Sequence, residues 1–405
     1  MKYLIRVTVL FACLSCNQPA RQVANMEQPH EVIVVLRPVE AVLHESNDRL
    51  VNSRQVRIVP RGETANLFRQ AIFLNERKGW ARTDKHLYRT SNGGEVWDRL
   101  PLEIGGDSQI SSLAFINDSR GWMAVTTQHP TDRCGLGNSS QILTTTDGGN
   151  TWKLQADFPA EARIEQIKFL DSNNGLAVGA QIVDQPRNQG PAYEQILVLA
   201  TSNGGNTWSD MSDAAGRELK AQGNTYSDYG WSIQWPSITS AFVLTRNGRI
   251  VHTSDSGSTW NTIARFKEER PDLIGSSSYH KIVVDNEQRL RLIGGATGDE
   301  GYWGDLAVES SDNKWATYEL KLMPIFDAVF LSANEVVACG EQIRSSGSGG
   351  ASPASGAIMH SLDGGRTWSI IYRSTSKEAF VSLTQVNDEF YAVSDTGTFM
   401  KFSLR

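Results

Sequence analysis

Five acidic or amide residues followed by glycine or serine recur along the chain and are the first candidates for chemistry. Each belongs to an eight-residue phrase: Ser or Thr, any residue, Asp or Asn, Gly or Ser, Gly, two further residues and Trp. The polar residue and the tryptophan of the five phrases are Asn92 and Trp97, Asp147 and Trp152, Asn203 and Trp208, Asp255 and Trp260, and Asp363 and Trp368. A carboxylate beside flexible glycines is a possible ligand for a metal ion or a sugar hydroxyl.

The number of side chains in each phrase favours a structural turn over a metal site. A calcium ion needs about six to eight oxygen atoms that converge on one point, whereas each phrase offers one carboxylate or amide. Asp-Gly and Asn-Gly pairs adopt positive φ angles at small steric cost, and the polar side chain bonds N–H groups of its own turn. We therefore expect five structural turns (the box turns), each fixed by its Trp, and neither a metal site nor a cofactor.

A second pattern precedes the box turns and predicts seven repeated units. An apolar strand end, a polar turn and another strand recur from Phe73, Phe115, Phe169, Trp235, Val284, Phe330 and Leu383. The fifth unit has a shortened turn at residues 310–315, and the seventh ends before a box turn. Four antiparallel strands in each of seven units describe an all-β fold, a single seven-bladed β-propeller over residues 31–405.

The seventh unit lacks its outer strand, so we expect an N-terminal strand to complete that blade. Residues 32–36 and 56–59 are both candidates, because both are rich in β-branched residues. Closing the ring removes unpaired edge strands, which otherwise recruit other chains.

The N-terminus is typical of a targeting segment rather than of the fold. A basic start and a short apolar run at residues 7–14 precede Cys16, which predicts a lipoprotein signal over 1–16 with Cys16 as the lipidated residue. Cys13 is the competing lipidation site, and an ordinary secretory signal is the alternative. Residues 17–30 are polar and without period, as in a tether. In each case we expect an extracytoplasmic protein, in the periplasm or at the cell surface.

The repeated phrases resemble the Asp-box, or BNR repeat. The longer pattern, F-x-[DN]-x-x-x-G-W-A-V followed by T-x-D-G-G-x-T-W, is similar to that of the photosystem II stability and assembly factor family, over residues 65–402. The resemblance implies a seven-bladed propeller, often secreted or lipid-anchored, with an assembly or scaffolding role on an extracytoplasmic complex. A photosystem partner is implied only in a photosynthetic host. Asp-boxes also occur in sialidases, xyloglucanases and sorting receptors, so the resemblance bears on fold more than on function.

Insertions concentrate on one face of the predicted disc, which we call the loop face. Box turns join third and fourth strands, so loops between second and third strands lie on the opposite face. The long segments predicted there are 128–141, 180–195, 296–309 and 341–356, together with the connection 210–232. Repeat proteins often place insertions on the binding face.

The loop-face segments contain residue types that dominate interaction hot spots. The predicted binding residues in them are Arg133, Arg187, Tyr193, Tyr226, Tyr229, Trp231, Tyr302, Trp303, Asp305 and Arg344. A second group ends the second strands and is expected to ring the channel mouth: Arg82, Gln128, Gln181, Arg246 and Glu341. Together they predict binding of a protein or a glycan, unless the aromatic side chains pack against their own loops.

A glycoside hydrolase is the alternative function. Such enzymes need two carboxyl groups about 5 to 9.5 Å apart, and the loop-face candidates are Asp132, Asp299, Glu300, Asp305 and Glu341. The F/Y-R-I-P phrase typical of sialidases is absent, and the seven histidines form no zinc-binding spacing. We therefore expect a non-catalytic, monomeric binding protein.

Charge and cysteine content limit the remaining possibilities. A net charge of −6 argues against nucleic acid as a partner, and no apolar run after residue 20 is long enough to span a bilayer. Membrane contact is therefore expected through the lipid anchor only. Cys134 and Cys339 would pair in an oxidising compartment if their Cα atoms came within about 7 Å, and would otherwise stay apart.

Overall fold

The computed structural model describes residues 32–36, 39–45, 50–58, 67–129, 137–158, 161–183, 193–221, 228–268, 279–296, 303–310, 314–345 and 351–404. These residues form seven sheets of consecutive strands arranged as a seven-bladed β-propeller, so the predicted fold is confirmed. The predicted signal peptide with Cys13 and Cys16 and the predicted tether lie outside the described residues.

Four strands of the N-terminal segment precede the first blade. They are β1 (Val32–Leu36), β2 (Val39–Glu40), β3 (Val42–Glu45) and β4 (Val51–Arg57). The first three blades follow in chain order: blade 1 contains β5 (Phe68–Phe73), β6 (Gly79–Thr83), β7 (Leu87–Thr90) and β8 (Asp98–Arg99); blade 2 contains β9 (Ser108–Phe115), β10 (Gly121–His129), β11 (Gly137–Thr145) and β12 (Lys153–Phe158); blade 3 contains β13 (Ala162–Phe169), β14 (Gly175–Val183), β15 (Tyr193–Thr201) and β16 (Ser209–Asp210).

A single helix, α1 (Ser212–Ala221), separates blade 3 from the last four blades in the described part of the chain. Those blades are built as follows: blade 4 contains β17 (Gly230–Gln234), β18 (Ala241–Thr245), β19 (Arg249–Thr253) and β20 (Asn261–Glu268); blade 5 contains β21 (Tyr279–Val284), β22 (Leu290–Ala296), β23 (Trp303–Glu309) and β24 (Trp315–Lys321); blade 6 contains β25 (Ile325–Phe330), β26 (Val336–Ser345), β27 (Ala351–Ser361) and β28 (Thr367–Arg373); blade 7 contains β29 (Phe380–Val386), β30 (Glu389–Ser394) and β31 (Thr398–Ser403). In these ranges no helix is long and apolar enough to cross a membrane.

The N-terminal segment runs along the outer edges of four blades. β4 pairs antiparallel with β31 and supplies the fourth strand of blade 7, so an N-terminal strand completes the ring as predicted. Of the two candidates, residues 56–59 overlap this strand at Val56 and Arg57. Residues 32–36 instead form β1, a fifth strand parallel to β20 of blade 4. Strands β2 and β3 add in parallel to β24 and β28, and we call β1 to β3 the N-terminal belt.

Several strands extend into segments that the sequence predicted as loops. β14 and β15 stay paired as far as Val183 and Tyr193, and β26 and β27 as far as Ser345 and Ala351. Backbone N–H and C=O groups that leave water need partners, and a longer hairpin provides them. Parts of the predicted loops 180–195 and 341–356 are therefore strand, and part of the connection 210–232 is the helix α1.

Each box turn is closed by its own side chains, as the second phrase illustrates. The carboxylate of Asp147 accepts from the Thr151 N–H at 2.9 Å and the Thr145 hydroxyl at 2.8 Å. The hydroxyl hydrogen bond of Thr151 is the main cause that lowers the pKa of Asp147 to about 2. Gly148 and Gly149 have φ angles of 72° and 93°, which favour glycine. The carboxylate is thus fully engaged within the turn.

Tryptophans from the second strands fasten one blade to the next. Trp122 of β10 stacks on Phe169 of blade 3, with ring centroids 3.5 Å apart, and its indole N–H donates to the carbonyl of Gly204 at 3.1 Å. Trp80 of β6 makes the same stack on Phe115 of blade 2 at 3.9 Å and donates to the box-turn carbonyl of Gly148 at 3.0 Å. We call this combined contact a ring staple, because it joins the two repeated sequence patterns of neighbouring blades.

Polar side chains join the innermost strands around the whole described ring. In each of the seven inner strands a β-bulge is followed by a polar residue: Gln70, Ser112, Gln166, Ser232, Lys281, Asp327 and Ser382. Each of them bonds the next blade, for example the Ser112 hydroxyl to the Ile167 N–H at 3.1 Å and the Ser382 hydroxyl to the Ala71 N–H at 3.0 Å. The remaining joints are Gln70 to Leu113 O, Gln166 to Ile233 N, Ser232 to Ile282 N, Lys281 to Asp327, and Asp327 to Leu383 N.

A ring staple should contribute measurably to stability. Trp122 is fully buried, and Trp122→Ala removes both its packing and its hydrogen bond. We expect a loss of about 3–5 kcal/mol in the free energy of unfolding, measured by urea denaturation. The control Leu154→Ala, at a side chain 57% exposed, should change it by less than about 0.5 kcal/mol. Equal effects of the two substitutions would contradict the staple.

Candidate functional site

Charged and aromatic side chains meet on the loop face where blade 3 joins blade 4. Blade 3 supplies Arg163 and Glu165 from the start of β13 and Glu194 from the start of β15. Blade 4 supplies Tyr229 and Trp231 at the start of β17 and Arg246 just after β18. We call these six residues the loop-face cluster.

The bulges of the inner strands position two members of the cluster. Each bulge leaves one extra residue outside the ladder, and in the seven inner strands these are Arg69, Ser111, Glu165, Trp231, His280, Phe326 and Val381. All seven are at least partly exposed. Bulges commonly re-aim side chains next to functional sites. Inner strands begin at the loop face, so their bulges present Glu165 and Trp231 there.

Two arginines stack on the aromatic side chains of the cluster. The guanidinium carbon of Arg246 lies 5.3 Å from the ring centroid of Trp231 and 5.7 Å from that of Tyr229. Arg246 also donates from Nη1 to the Tyr229 hydroxyl at 2.9 Å. The guanidinium carbon of Arg163 also lies over the ring of Tyr229, 4.6 Å from its centroid. Tyr229 is only 5% exposed, so it is a fixed support for both guanidinium groups.

The two arginines differ in their charge partners. Arg163 is paired with Glu165 at 2.7 Å and with Glu194 at 3.2 Å. Burial raises the pKa of Glu165, although the positive charge of Arg163 opposes that shift. Arg246 is exposed, and among the described residues no carboxylate lies within ion-pair distance of it. The cluster therefore presents, on an aromatic surface, one exposed guanidinium that has no direct ion pair in the described part of the chain, which suits a carboxylate or another anionic group.

Arg82 does not lie at the open channel mouth, contrary to the sequence-based expectation. It is 8% exposed, and its guanidinium donates to the carbonyl oxygens of Ile110 at 2.6 Å and Ser111 at 2.7 Å. These acceptors belong to blade 2, so Arg82 ties blade 1 to its neighbour. Gln128 and Gln181 also differ from expectation, because β10 and β14 continue past them.

Trp303 and Asp305 are buried strand residues rather than exposed loop residues. They lie in β23 and are 6% and 5% exposed. The Trp303 indole N–H donates to the Asp305 carboxylate at 2.7 Å. The expectation of an exposed aromatic beside a free carboxylate was wrong here, because β23 begins at Trp303 and not further along the chain.

The other predicted binding residues are only partly placed by the structure. Tyr193 is the first residue of β15, and Arg344 lies in β26. Outside the described residues lie Arg133, Arg187, Tyr226, Tyr302, Asp132, Asp299, Glu300 and Cys134. Cys339 is fully buried in β26 as a free thiol, and burial raises its pKa well above the ordinary value.

Sequence reasoning brought Tyr229, Trp231 and Arg246 forward and missed the part of the cluster that blade 3 supplies. Arg163, Glu165 and Glu194 were overlooked because they lie in strands rather than in loops. A signal was present, since an arginine and a glutamate stand two residues apart in an inner strand, with the apolar Ile164 between them. Such charges near the start of an inner strand indicate the channel mouth.

Glu341 is an isolated acid on the same face, in blade 6. It is 9% exposed in β26, and its carboxyl group has no hydrogen-bond partner among the described residues. Burial, reinforced by the negative charge of Asp395, raises the pKa of Glu341 to about 7. The described residues include no group of three or more His, Cys, Asp or Glu side chains placed to hold a metal ion. Burial therefore favours the neutral form of the Glu341 carboxyl group up to a higher pH than is usual for a glutamate.

Solved structures share this architecture at low sequence identity. A YCF48 protein bound to a D1 peptide aligns with a TM-score of 0.57 and 16% identity, over 90% of this chain and all of that chain (100%). YCF48 from Cyanidioschyzon merolae aligns with a TM-score of 0.53 and 15% identity, over 86% and 98%. The GH74 xyloglucanase from Xanthomonas campestris gives 0.57 and 12%, over 87% of this chain and 54% of the enzyme.

These comparisons define a class rather than an activity. The chain is a seven-bladed β-propeller, similar in fold to YCF48 proteins and to one part of a xyloglucanase. No protein-family model matches the sequence. A comparison with curated proteins likewise finds no match.

The buried acid in blade 6 predicts a pH dependence of stability. Because the pKa of Glu341 is raised from 4.5 to about 7, the folded state favours its neutral form. The stabilisation of the folded state that comes from this raised pKa is fully present below pH 4.5 and is lost as the pH rises through 7. Glu341→Gln should therefore be more stable than wild type above pH 7, with little difference at pH 4. Urea unfolding between pH 4 and 8 measures this, with the exposed Glu103→Gln as control; a pH-independent difference would contradict it.

Proposed function

We propose that this propeller is a non-catalytic binding protein that captures an extended segment of a partner protein on its loop face, in an assembly or scaffolding role. The observation that carries the proposal is the exposed Arg246, which has no direct ion pair among the described residues and stacks on Trp231 and Tyr229. Tryptophan, tyrosine and arginine are the residue types that dominate interaction hot spots.

The geometry of the cluster favours a particular kind of segment. Trp231 offers a partly exposed flat surface for an apolar or aromatic side chain. The planar guanidinium of Arg246 matches a carboxylate, and its hydrogen bond to Tyr229 holds it in place. Arg163 already has ion pairs with two glutamates. The proposed ligand therefore combines an apolar side chain with a nearby acidic group, which Arg246 recognises.

Two similarities support a protein partner. The YCF48 structure with which this fold aligns carries a D1 peptide, so a propeller of related shape accommodates a peptide. The repeated phrases also resemble those of the photosystem II stability and assembly factor family. For a photosynthetic host the proposal includes a photosystem partner; otherwise it is an assembly role on another extracytoplasmic complex.

A glycoside hydrolase is the second candidate, and Glu341 is the observation that favours it. A general acid in a glycosidase needs a carboxyl group that is protonated near its working pH, and the pKa of Glu341 is raised to about 7. The negative charge of Asp395 acts on Glu341, and burial raises the pKa of Asp395 as well. Two carboxyl groups that both favour the neutral form supply an acid but no ready nucleophile, so we place this candidate second.

Removing the exposed cation should weaken peptide binding. On an array of 12-residue peptides that vary in acidic and aromatic content, wild-type protein should select peptides that carry both. Arg246→Ala should bind the selected peptides more weakly by about tenfold or more, since a hot-spot side chain contributes about 2 kcal/mol or more. Fluorescence titration of the same peptides measures the change in Kd.

The matched control is Arg77→Ala, at an exposed arginine on the box-turn face. It should leave the Kd unchanged. Equal losses in both variants, or selection of peptides without acidic residues, would contradict the assigned role of Arg246. Turnover of an aryl glycoside that Glu341→Gln abolishes would replace the binding proposal with the hydrolase.

We further propose that the protein is anchored outside the cytoplasm by a lipid on Cys16. The support is the sequence pattern of residues 1–16. In cells fed a labelled fatty acid, Cys16→Ser should abolish incorporation of the label into the protein, whereas Cys13→Ser should preserve it. The opposite result would assign the anchor to Cys13, and no label in wild type would leave an ordinary secretory signal.

A further inference from the structure

Ring staples fasten only part of the propeller. Besides Trp80 and Trp122, Tyr391 of blade 7 stacks on Phe73 of blade 1, with centroids 4.0 Å apart, and its hydroxyl donates to the carbonyl of Glu76 at 3.4 Å. Staples therefore join blades 7 and 1, 1 and 2, and 2 and 3. The corresponding positions in blades 3 to 6 are Leu176, Phe242, Arg291 and Val337.

None of these four residues makes a staple with the next blade in the described ranges. Phe242 stacks on His252 of its own blade. Arg291 lies 5.8 Å from the ring of Phe330 in blade 6, but its nitrogens donate to Glu309 and Asp285 of its own blade. The interfaces from blade 3 through blade 7 therefore depend on other contacts.

The N-terminal belt crosses two of those interfaces. Strand β1 lies on blade 4, β2 on blade 5 and β3 on blade 6. Val34 packs with Phe266 and Tyr279, between blades 4 and 5. Ala41 packs with Tyr318 and Trp368, between blades 5 and 6. The chain then continues to β4 on blade 7, where Gln55 bonds Tyr372 of blade 6.

The interface between blades 3 and 4 is bridged by the helix α1. Ala215 of this helix is fully buried and packs with Ile196 of blade 3 and Trp260 of blade 4. Staples, belt and helix thus account for six of the seven interfaces. At the seventh, between blades 6 and 7, the contact is made by β4 of blade 7 itself, through Gln55 and Tyr372.

We propose that the N-terminal belt is a separable clasp that holds blades 4 to 6 together in place of ring staples. Its release would loosen these interfaces while blades 1 to 3 keep their stapled packing. The belt is suited to this, because β2 has two residues and the belt side chains described as buried, Val34 and Ala41, are small. The exposed Lys321–Glu40 ion pair adds little. Segments with few buried contacts open at low free-energy cost.

Hydrogen exchange in the second strands of blades 5 and 6, which do not pair with the belt, tests the proposal. Ala41→Glu places a charge where Ala41 is 8% exposed, whereas the control Val39→Glu alters a belt residue that is 63% exposed. In Ala41→Glu, amide exchange in β22 and β26 should be faster by about tenfold, with β6 and β10 unchanged. Val39→Glu should leave all four strands unchanged.

The reciprocal variant separates a local clasp from a general loss of stability. Trp80→Leu removes one staple and should speed exchange in β6 and β10 while sparing β22 and β26. Faster exchange in all four strands of Ala41→Glu, or in none of them, would overturn the proposal. If Ala41→Glu does not fold, Val34→Ala carries the same test, with faster exchange expected in β18 and β22.

Discussion

One polar side chain per blade, placed directly after a β-bulge, is the contact on which the ring depends. The sheets share no ladder, so side chains do most of the joining between inner strands, beside a few backbone hydrogen bonds such as that from the Ile110 N–H to the Asp84 carbonyl at 2.7 Å. The residues Ser112 and Ser382 show the pattern, since each hydroxyl accepts from an N–H of the next blade. Asp327 serves two interfaces at once, because it pairs with Lys281 and accepts from Leu383. The circle of joints fixes the register of seven blades about one channel.

The same bulges explain why the mouth of the channel is free to vary. A bulge uses one residue for the joint and leaves its neighbour outside the ladder, partly exposed at the loop face. In blades 3 and 4 those neighbours are Glu165 and Trp231, which belong to the loop-face cluster; in blade 7 the neighbour is Val381. Chemistry at the mouth can therefore change without disturbing the joint. This separation is a physical reason why one propeller fold carries unrelated functions.

The fold was predictable because its repeating elements are closed by local contacts. A box turn such as that of Asp147 is satisfied within its own phrase, so glycine and tryptophan spacing indicates it directly. The site was predictable only in part. Trp231 and Arg246 are together as their position on one face suggested, whereas Trp303 is buried because its strand is longer than the sequence indicated. The ion pair between Arg163 and Glu194 was not predictable from the sequence. The two residues lie in β13 and β15, which come close only because both strands pair with β14.

The sequence by itself determined seven units, the turn that ends the third strand in five of them, and the face on which insertions lie, because each is set by neighbouring residues. Tertiary structure decided what lies between the units. It gave residues 32–36 and 51–57 different roles, although both are short β-rich segments. It also turned Arg82 from a candidate ligand group into a tie between blades. Contacts between blades join residues far apart in the chain, and their register depends on bulges and closure that no local pattern encodes.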